Sequence, residues 1–319
     1  MGKADKITRK FMSHNDTFAD AYNAAFFGGR EIIKPSSLRP MSEKEIVAYA
    51  KRNGRSETEE KIRDVMKNAV FMTDGKVNYA IDLGIECQTN ISRIMPVRIM
   101  GYNQGRYAMQ IDDIAHAHKA ADEKPTNSGE FFNGFYQGDK LTPVVTLVIN
   151  FSSQKWDAPK SLFEMFSEDI PEELKPLIQD YKITVLSPYD QPEEYDKLPF
   201  RTSLKPLMYL LKKMDNLNEL LEEVAKNPEI QILDRETAEV FNTLSGANIE
   251  INEKEGAVNM CKAFEELRRR GISEGEAIGE NKFSQLINSL LPAGRVKDLE
   301  RAANDSAYRN SLFAEFGIA

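Results

Sequence analysis

The sequence is poor in the residues that carry most redox and nucleophilic chemistry. It holds two cysteines, Cys87 and Cys261, and three histidines, His14, His116 and His118, in 319 residues. Two thiols cannot build a disulfide framework, and no Ser-His-Asp or Cys-His arrangement is supported. The longest apolar run, around Val144 to Phe151, is about half of what a membrane helix needs. No apolar region follows the lysines of the opening MGKADKITRKFM, and Lys6 breaks the myristoylation pattern. Neither GxxxxGK[ST] nor GxGxxG occurs, so no nucleotide cofactor is expected. These absences predict a soluble, cytoplasmic chain that works without membrane or nucleotide.

What is present is ordinary globular composition, 41% hydrophobic and 29% charged, over a length that suggests about two domains. The net charge of −8 hides an asymmetry: residues 1–119 carry +4 and the remainder −12. A basic part beside an acidic part can still meet phosphate locally.

The pattern along the chain predicts a mixed α/β sheet domain. Residues 15–27 read as a helix capped by Asn15 or Asp16 and stopped by Gly28 and Gly29. A charged helical run from Glu57 to Asp64 leads into a strand over Val65 to Met72. Asp74-Gly75 is a hairpin turn signal. The next segment, VNYAIDLGIECQ (77–88), alternates with period two. Val77, Tyr79, Ile81, Leu83, Ile85 and Cys87 form its core face; Glu86 and Gln88 lie side by side on the small or polar face. A long helix follows from Arg93 to about His118. Val144 to Phe151 and Ile183 to Leu186 are apolar enough for central strands. From Leu204 the pattern is helical. Domains are expected at 1–245 and 246–319, with a linker near 246–256 and an all-helical C-terminal region. In that region Gly271, Gly275 and Gly279 recur every four residues, which suits either close helix approach or a weak helix. The tail resembles a three-helix unit lacking a basic recognition face, which favours protein contacts over DNA.

The leading constellation is Asp64 before one strand and Glu86-Cys87-Gln88 near the end of the next. Phosphodiester hydrolysis is served by a divalent cation, and Mg2+ takes hard oxygen ligands, typically one or two carboxylates plus water and phosphate. Asp64 and Glu86 can supply the carboxylates and the Cys87 backbone carbonyl a third oxygen, while Gln88 orients water or phosphate. On spacing alone the alternative stands, in which Asp64 ends a helix and Glu86 is a solvated strand residue. Arg98, Tyr102 and Arg106 fall at i, i+4 and i+8, so they share a helix face that can bind DNA phosphates; the alternative is an Arg–Tyr surface stack or a salt bridge to Asp82. Lys67 is a further phosphate partner. His116 and His118 point apart on a helix and are not joint metal ligands. Trp156 with Asp157 suits a packing corner.

The blocks DKITRKFMSHNDTFADAYNAAFFGGREIIKP, RDVMKN, YAIDLGIECQTNISRIMPVRIMGY, LTPVVTLVINF, WDAPKSL and DYKITVLSP, in this order over roughly residues 5–245, resemble the Rpn family. These are recombination-promoting nucleases, also described as PD-(D/E)XK nuclease family transposases. The resemblance implies a restriction-endonuclease-like sheet core and DNA cleavage with Mg2+, or Mn2+ in its place, in DNA mobility or defence. It carries the active-site Asp to Asp64, the Glu to Glu86 and the third position, usually Lys in the wider superfamily, to Gln88. A first-helix acid maps to Asp20, with Asp16 an equal candidate. Cutting both strands needs two sites, so a homodimer is expected. Gln88 lacks the charge of Lys, which leaves a catalytically silent DNA-binding or assembly protein as the alternative.

Overall fold

The computed structural model describes residues 2–41, 64–73, 76–167, 169–252 and 254–318. The charged run from Glu57 towards Asp64 and the Asp74-Gly75 turn lie outside these residues, Asp64 itself excepted. The chain divides into two compact units, Met1–Val258 and Asn259–Ala319.

The first unit opens with two helices, α1 (Lys3–Met12) and α2 (Asn15–Phe27). Along α2 the i, i+4 spacing stacks Phe18 on Tyr22 and Tyr22 on Phe26, with centroids 5.2 and 5.6 Å apart. His14, not Asn15 or Asp16, occupies the N-cap of α2 and makes no side-chain cap bond. Asn15 is instead drawn to the Pro35 carbonyl at 3.1 Å, and Asp16 accepts the Thr17 amide. Gly28 closes the helix in the left-handed conformation. Gly29 follows with φ +80°, and a Cβ there would lie 2.6 Å from the Pro199 carbonyl, so only glycine fits.

A five-stranded mixed sheet forms the centre in the order β1-β2-β3-β4-β5, with β1 (Leu38–Pro40), β2 (Val65–Thr73), β3 (Lys76–Gln88), β4 (Val144–Asn150) and β5 (Thr184–Leu186). The first three strands are antiparallel, with Val65 opposite Ile85; β4 and β5 continue parallel to β3, with Gln88 opposite Asn150. Between β3 and β4 run α3 (Met95–Ala120), with Pro96 in its first turn, and the short α4 (Ser128–Asn133). The apolar run of β4 is buried throughout its centre. The run expected at Ile183 to Leu186 makes the edge strand β5 instead of a central one. After it come α5 (Leu204–Lys213), α6 (Leu217–Lys226), α7 (Pro228–Gln231) and α8 (Arg235–Ser245), with β6 (Ile232–Asp234) pairing β7 (Ala257–Asn259). Because β7 returns to β6, residues 246–256, expected as a linker, belong to the first unit.

The second unit comprises α9 (Met260–Leu290), α10 (Val296–Asn304) and α11 (Ser306–Glu315). Leu286, Leu290, Ala302 and Leu312 form its core. Helix α9 runs unbroken through Gly271, Gly275 and Gly279, all exposed, and a Cβ on any of them would meet nothing within 4 Å.

Helix α2 is tied to the sheet through the hydroxyl of Tyr22. Tyr22 Oη lies 2.6 Å from the Gly84 carbonyl on β3 and 3.0 Å from the Val145 carbonyl on β4, in a buried setting. Tyr22→Phe leaves both acceptors without that donor and is expected to cost ~1–3 kcal/mol in urea unfolding. An unchanged midpoint would show that the anchor contributes nothing.

Candidate active site

Period-two alternation puts Asp82, Gly84, Glu86 and Gln88 on one face of β3 and Leu83, Ile85 and Cys87 on the other. Both faces are covered: Asp82 and Glu86 are each only 1% exposed. The reading of Glu86 as a solvated strand residue therefore fails. Helix α3 supplies the cover, and it matches the strand's charge pattern. Four strand residues from Asp82 to Glu86 advance ~13 Å; eight helical residues from Arg98 to Arg106 advance ~12 Å. Both ion pairs form at once, Arg98 Nη2 to Glu86 Oε1 at 2.6 Å and Arg106 Nε to Asp82 Oδ2 at 2.7 Å.

The two pairs end differently. Asp82 also accepts from Asn68 Nδ2 at 2.7 Å and Gln110 Nε2 at 3.1 Å, so rigid neighbours surround it. Glu86 sits near the strand's C-terminal end, where other polar groups converge. Gln88 Nε2 reaches Glu86 Oε1 and the Cys87 carbonyl oxygen, both at 3.2 Å. Asp64, just before β2, accepts the Cys87 amide through Oδ2 at 2.8 Å. Burial pushes the Asp64 carboxyl above its ordinary range, and the negative Asp5 adds to this; the Cys87 N–H, Arg9 and Arg98 oppose it without cancelling it. Burial also drives the Cys87 thiol well up, helped by Asp64 and Glu86, so it stays protonated and is no nucleophile.

Arg98 is 22% exposed on its side chain, and its Nε donates to the Tyr102 hydroxyl at 3.0 Å. Burial and Glu86 raise the Tyr102 phenol, against the pull of Arg98. Arg98 is thus at once the counter-ion of Glu86 and, with Arg9, one of two cations acting on Asp64.

The structure brings Asp64, Glu86, Cys87, Gln88, Arg98 and Tyr102 together and holds the other expected residues elsewhere. Asp20 Oδ2 accepts from the Arg201 and Thr202 amides, both at 2.8 Å, and from the Thr202 hydroxyl at 2.7 Å, so it anchors the approach to α5. Lys67 is buried, with Nζ donating to the Ser13 carbonyl at 2.7 Å and to Asn15 Oδ1 at 2.5 Å, and ties the α1–α2 junction to β2. Arg106 is committed to Asp82. His118 is held by Glu123 and Asp139 and stacks on Tyr136.

Sequence reasoning missed the contribution of α1. Asp5 Oδ1 accepts from the Thr89 hydroxyl at 2.9 Å, directly beyond Gln88, and both Asp5 and Arg9 act on Asp64. Their i, i+4 spacing was the available signal.

Among the described residues no group of three or more His, Cys, Asp or Glu side chains is arranged to hold a metal ion. A smaller set remains: two carboxylates and one main-chain carbonyl, all hard oxygens of the type Mg2+ prefers. The raised Asp64 carboxyl marks a place where added positive charge is welcome. These residues fit a divalent cation in donor chemistry.

No family model, curated protein or solved structure matches the chain.

Two outcomes follow from this geometry. The fold holds the Asp64 proton more tightly than the unfolded chain does. Stability is therefore lost as pH rises from the ordinary carboxylate range through the raised value. Asp64→Asn is expected to be more stable than wild type at neutral pH, with the difference vanishing as pH falls below the ordinary carboxylate range. Melting curves across pH check this, and a less stable variant at neutral pH contradicts it. Asp20→Ala should lose ~2–3 kcal/mol of stability through three orphaned donors while leaving Mn2+ binding by calorimetry unchanged; lost Mn2+ binding in a folded variant would restore Asp20 to the metal site.

Proposed function

We propose that this chain is a Mg2+-dependent DNA endonuclease of the Rpn type, with a restriction-endonuclease-like core. The observation that carries the reading is the convergence of Asp64, Glu86 and Arg98 at the C-terminal end of β3, a half-buried acid and a buried one beside a partly exposed cation. The sequence blocks that resemble the family run through the same elements.

In this reading Asp64, Glu86 and the Cys87 carbonyl hold the cation. When bound, it polarises the phosphodiester and lowers the pKa of attacking water. Asp64 is oriented by the Cys87 amide, and Glu86 by burial between β3 and α3. Gln88, a neutral amide able to donate and accept, orients water or a phosphate oxygen. Arg98 steadies the phosphate, and its planar fork suits two phosphate oxygens. Tyr102 keeps its proton and fixes the guanidinium from behind. DNA is the partner, cleavage of both strands calls for a second copy, and recombination, mobile-element activity or defence is the setting. Arg106 and Lys67 are structural.

A second reading is a catalytically silent DNA-binding or assembly protein. It is favoured by the self-contained bonding at the site, where Arg98 and Gln88 already occupy Glu86 Oε1 and the Cys87 carbonyl.

Purified protein is expected to nick and then linearise supercoiled plasmid with Mg2+ or Mn2+ and not with EDTA. Asp64→Ala and Glu86→Gln should each lower the rate at least ~100-fold, the scale of losing a metal ligand. Equal cutting by both variants would reject this site. DNA retention without cutting by wild type would favour the silent reading.

A further inference from the structure

Two of the oxygens that a cation would use at the end of β3 are already engaged. Arg98 Nη2 lies 2.6 Å from Glu86 Oε1, and Gln88 Nε2 reaches that same oxygen and the Cys87 carbonyl. Glu86, at 1% exposure, cannot be left without positive charge, because removing one partner of a buried ion pair strands the other. Both contacts to Glu86 fall on the same oxygen, Oε1, and a divalent ion approaching this carboxylate meets the charge of a resident guanidinium, which favours exchange of one cation for the other.

The direction of departure is set by what holds Arg98. Its Nε donates to the Tyr102 hydroxyl at 3.0 Å, and its guanidinium lies over the Tyr102 ring, 5.7 Å from the centroid. The side chain is already partly exposed. Pivoting about Tyr102 carries the guanidinium toward the solvent it already meets, where an incoming phosphodiester is the available anion. The other charges near this point are Asp64, Asp5 and Arg9. The carboxylates favour any cation there, whereas the resident Arg98 guanidinium opposes one.

We propose that Arg98 is the site's built-in substitute cation, which a divalent ion displaces from Glu86 and which then takes up the DNA phosphate. Resting on the metal-site reading above, this makes Arg98 a competitor of the metal as well as a phosphate ligand. Metal and phosphate binding are then coupled, each strengthening the other through the same side chain. Loss of Arg98 lowers DNA affinity yet raises metal affinity, the reverse of what a residue that merely supports the metal would do.

The experiment is Mn2+ titration of the full chain, followed by electron paramagnetic resonance, for wild type, Glu86→Gln and Arg98→Met. Expected are one site in wild type, its loss in Glu86→Gln, and at least ~5-fold tighter binding in Arg98→Met, at the lower end of ordinary coupling. Millimolar guanidinium should weaken Mn2+ binding to Arg98→Met and not to wild type. Unchanged or weaker affinity in a folded Arg98→Met, with wild type still binding through Glu86, overturns the exchange and leaves the metal site standing. Absence of a Glu86-dependent site in wild type overturns both. Should Arg98→Met fail to fold, wild type answers by itself. Saturating Mg2+ should move the Arg98 Nε–Hε resonance and speed its solvent exchange, and an unmoved resonance overturns the proposal.

Discussion

Burying Asp82 and Glu86 on one face of β3 obliges the chain to bring a cation to each at a spacing dictated by the strand. Desolvating a carboxylate costs several kcal/mol unless a well-placed partner offsets it. Helix α3 meets the demand because eight residues of helix cover nearly the same distance as four of strand, so Arg98 and Arg106 reach both acids together. This match fixes the register and direction of α3 over the sheet. It also separates the two acids by consequence. Asp82 is enclosed by Asn68, Arg106 and Gln110 and belongs to the scaffold. Glu86 is bonded by Gln88 and by Arg98, whose side chain reaches solvent, and it is the acid placed to exchange partners.

The opposite face imposes a second constraint through main-chain acceptors. Tyr22 reaches the Gly84 and Val145 carbonyls, and Lys67 reaches the Ser13 carbonyl and Asn15, so α1 and α2 are fastened to the sheet on both sides of their junction. That fastening carries Asp5 and Arg9 to the Asp64 end of the sheet. Lys67 illustrates how burial redirects a charged residue: its ammonium is lowered by desolvation and spent on two local oxygens. At 5% exposure it is withdrawn from any ligand at the surface.

Much of this was legible in the sequence. Period-two alternation in 77–88 placed Glu86 and Gln88 on one face, and i, i+4, i+8 spacing placed Arg98, Tyr102 and Arg106 on another. What could not be read was that these faces meet, since either is equally consistent with solvent when taken alone. The salt bridge from Arg106 to Asp82 was one of two readings, and only the packing of α3 selects it. Asp20 misled for a related reason: its partners, Arg201 and Thr202, are about 180 residues away in sequence, and no local pattern announces a carboxylate reserved for a distant loop. The edge position of β5 was hidden because an apolar run reports burial and not order in a sheet.

The charge at the site bears on why glutamine, and not lysine, stands at position 88. A lysine there would set an ammonium within reach of Glu86 Oε1, which already receives the Arg98 guanidinium at 2.6 Å. Two resident cations on one buried carboxylate oxygen would repel each other and hold off any metal. A neutral amide avoids both effects while still donating to Glu86 and to the Cys87 carbonyl. In the nuclease reading the positive charge that a lysine would direct at the phosphate comes instead from Arg98 on α3. In the nuclease reading Gln88 and Arg98 divide one residue's task, the amide ordering water and ligand oxygens and the guanidinium meeting the phosphate. The substitution at position 88 then counts against catalysis only if Arg98 cannot leave Glu86.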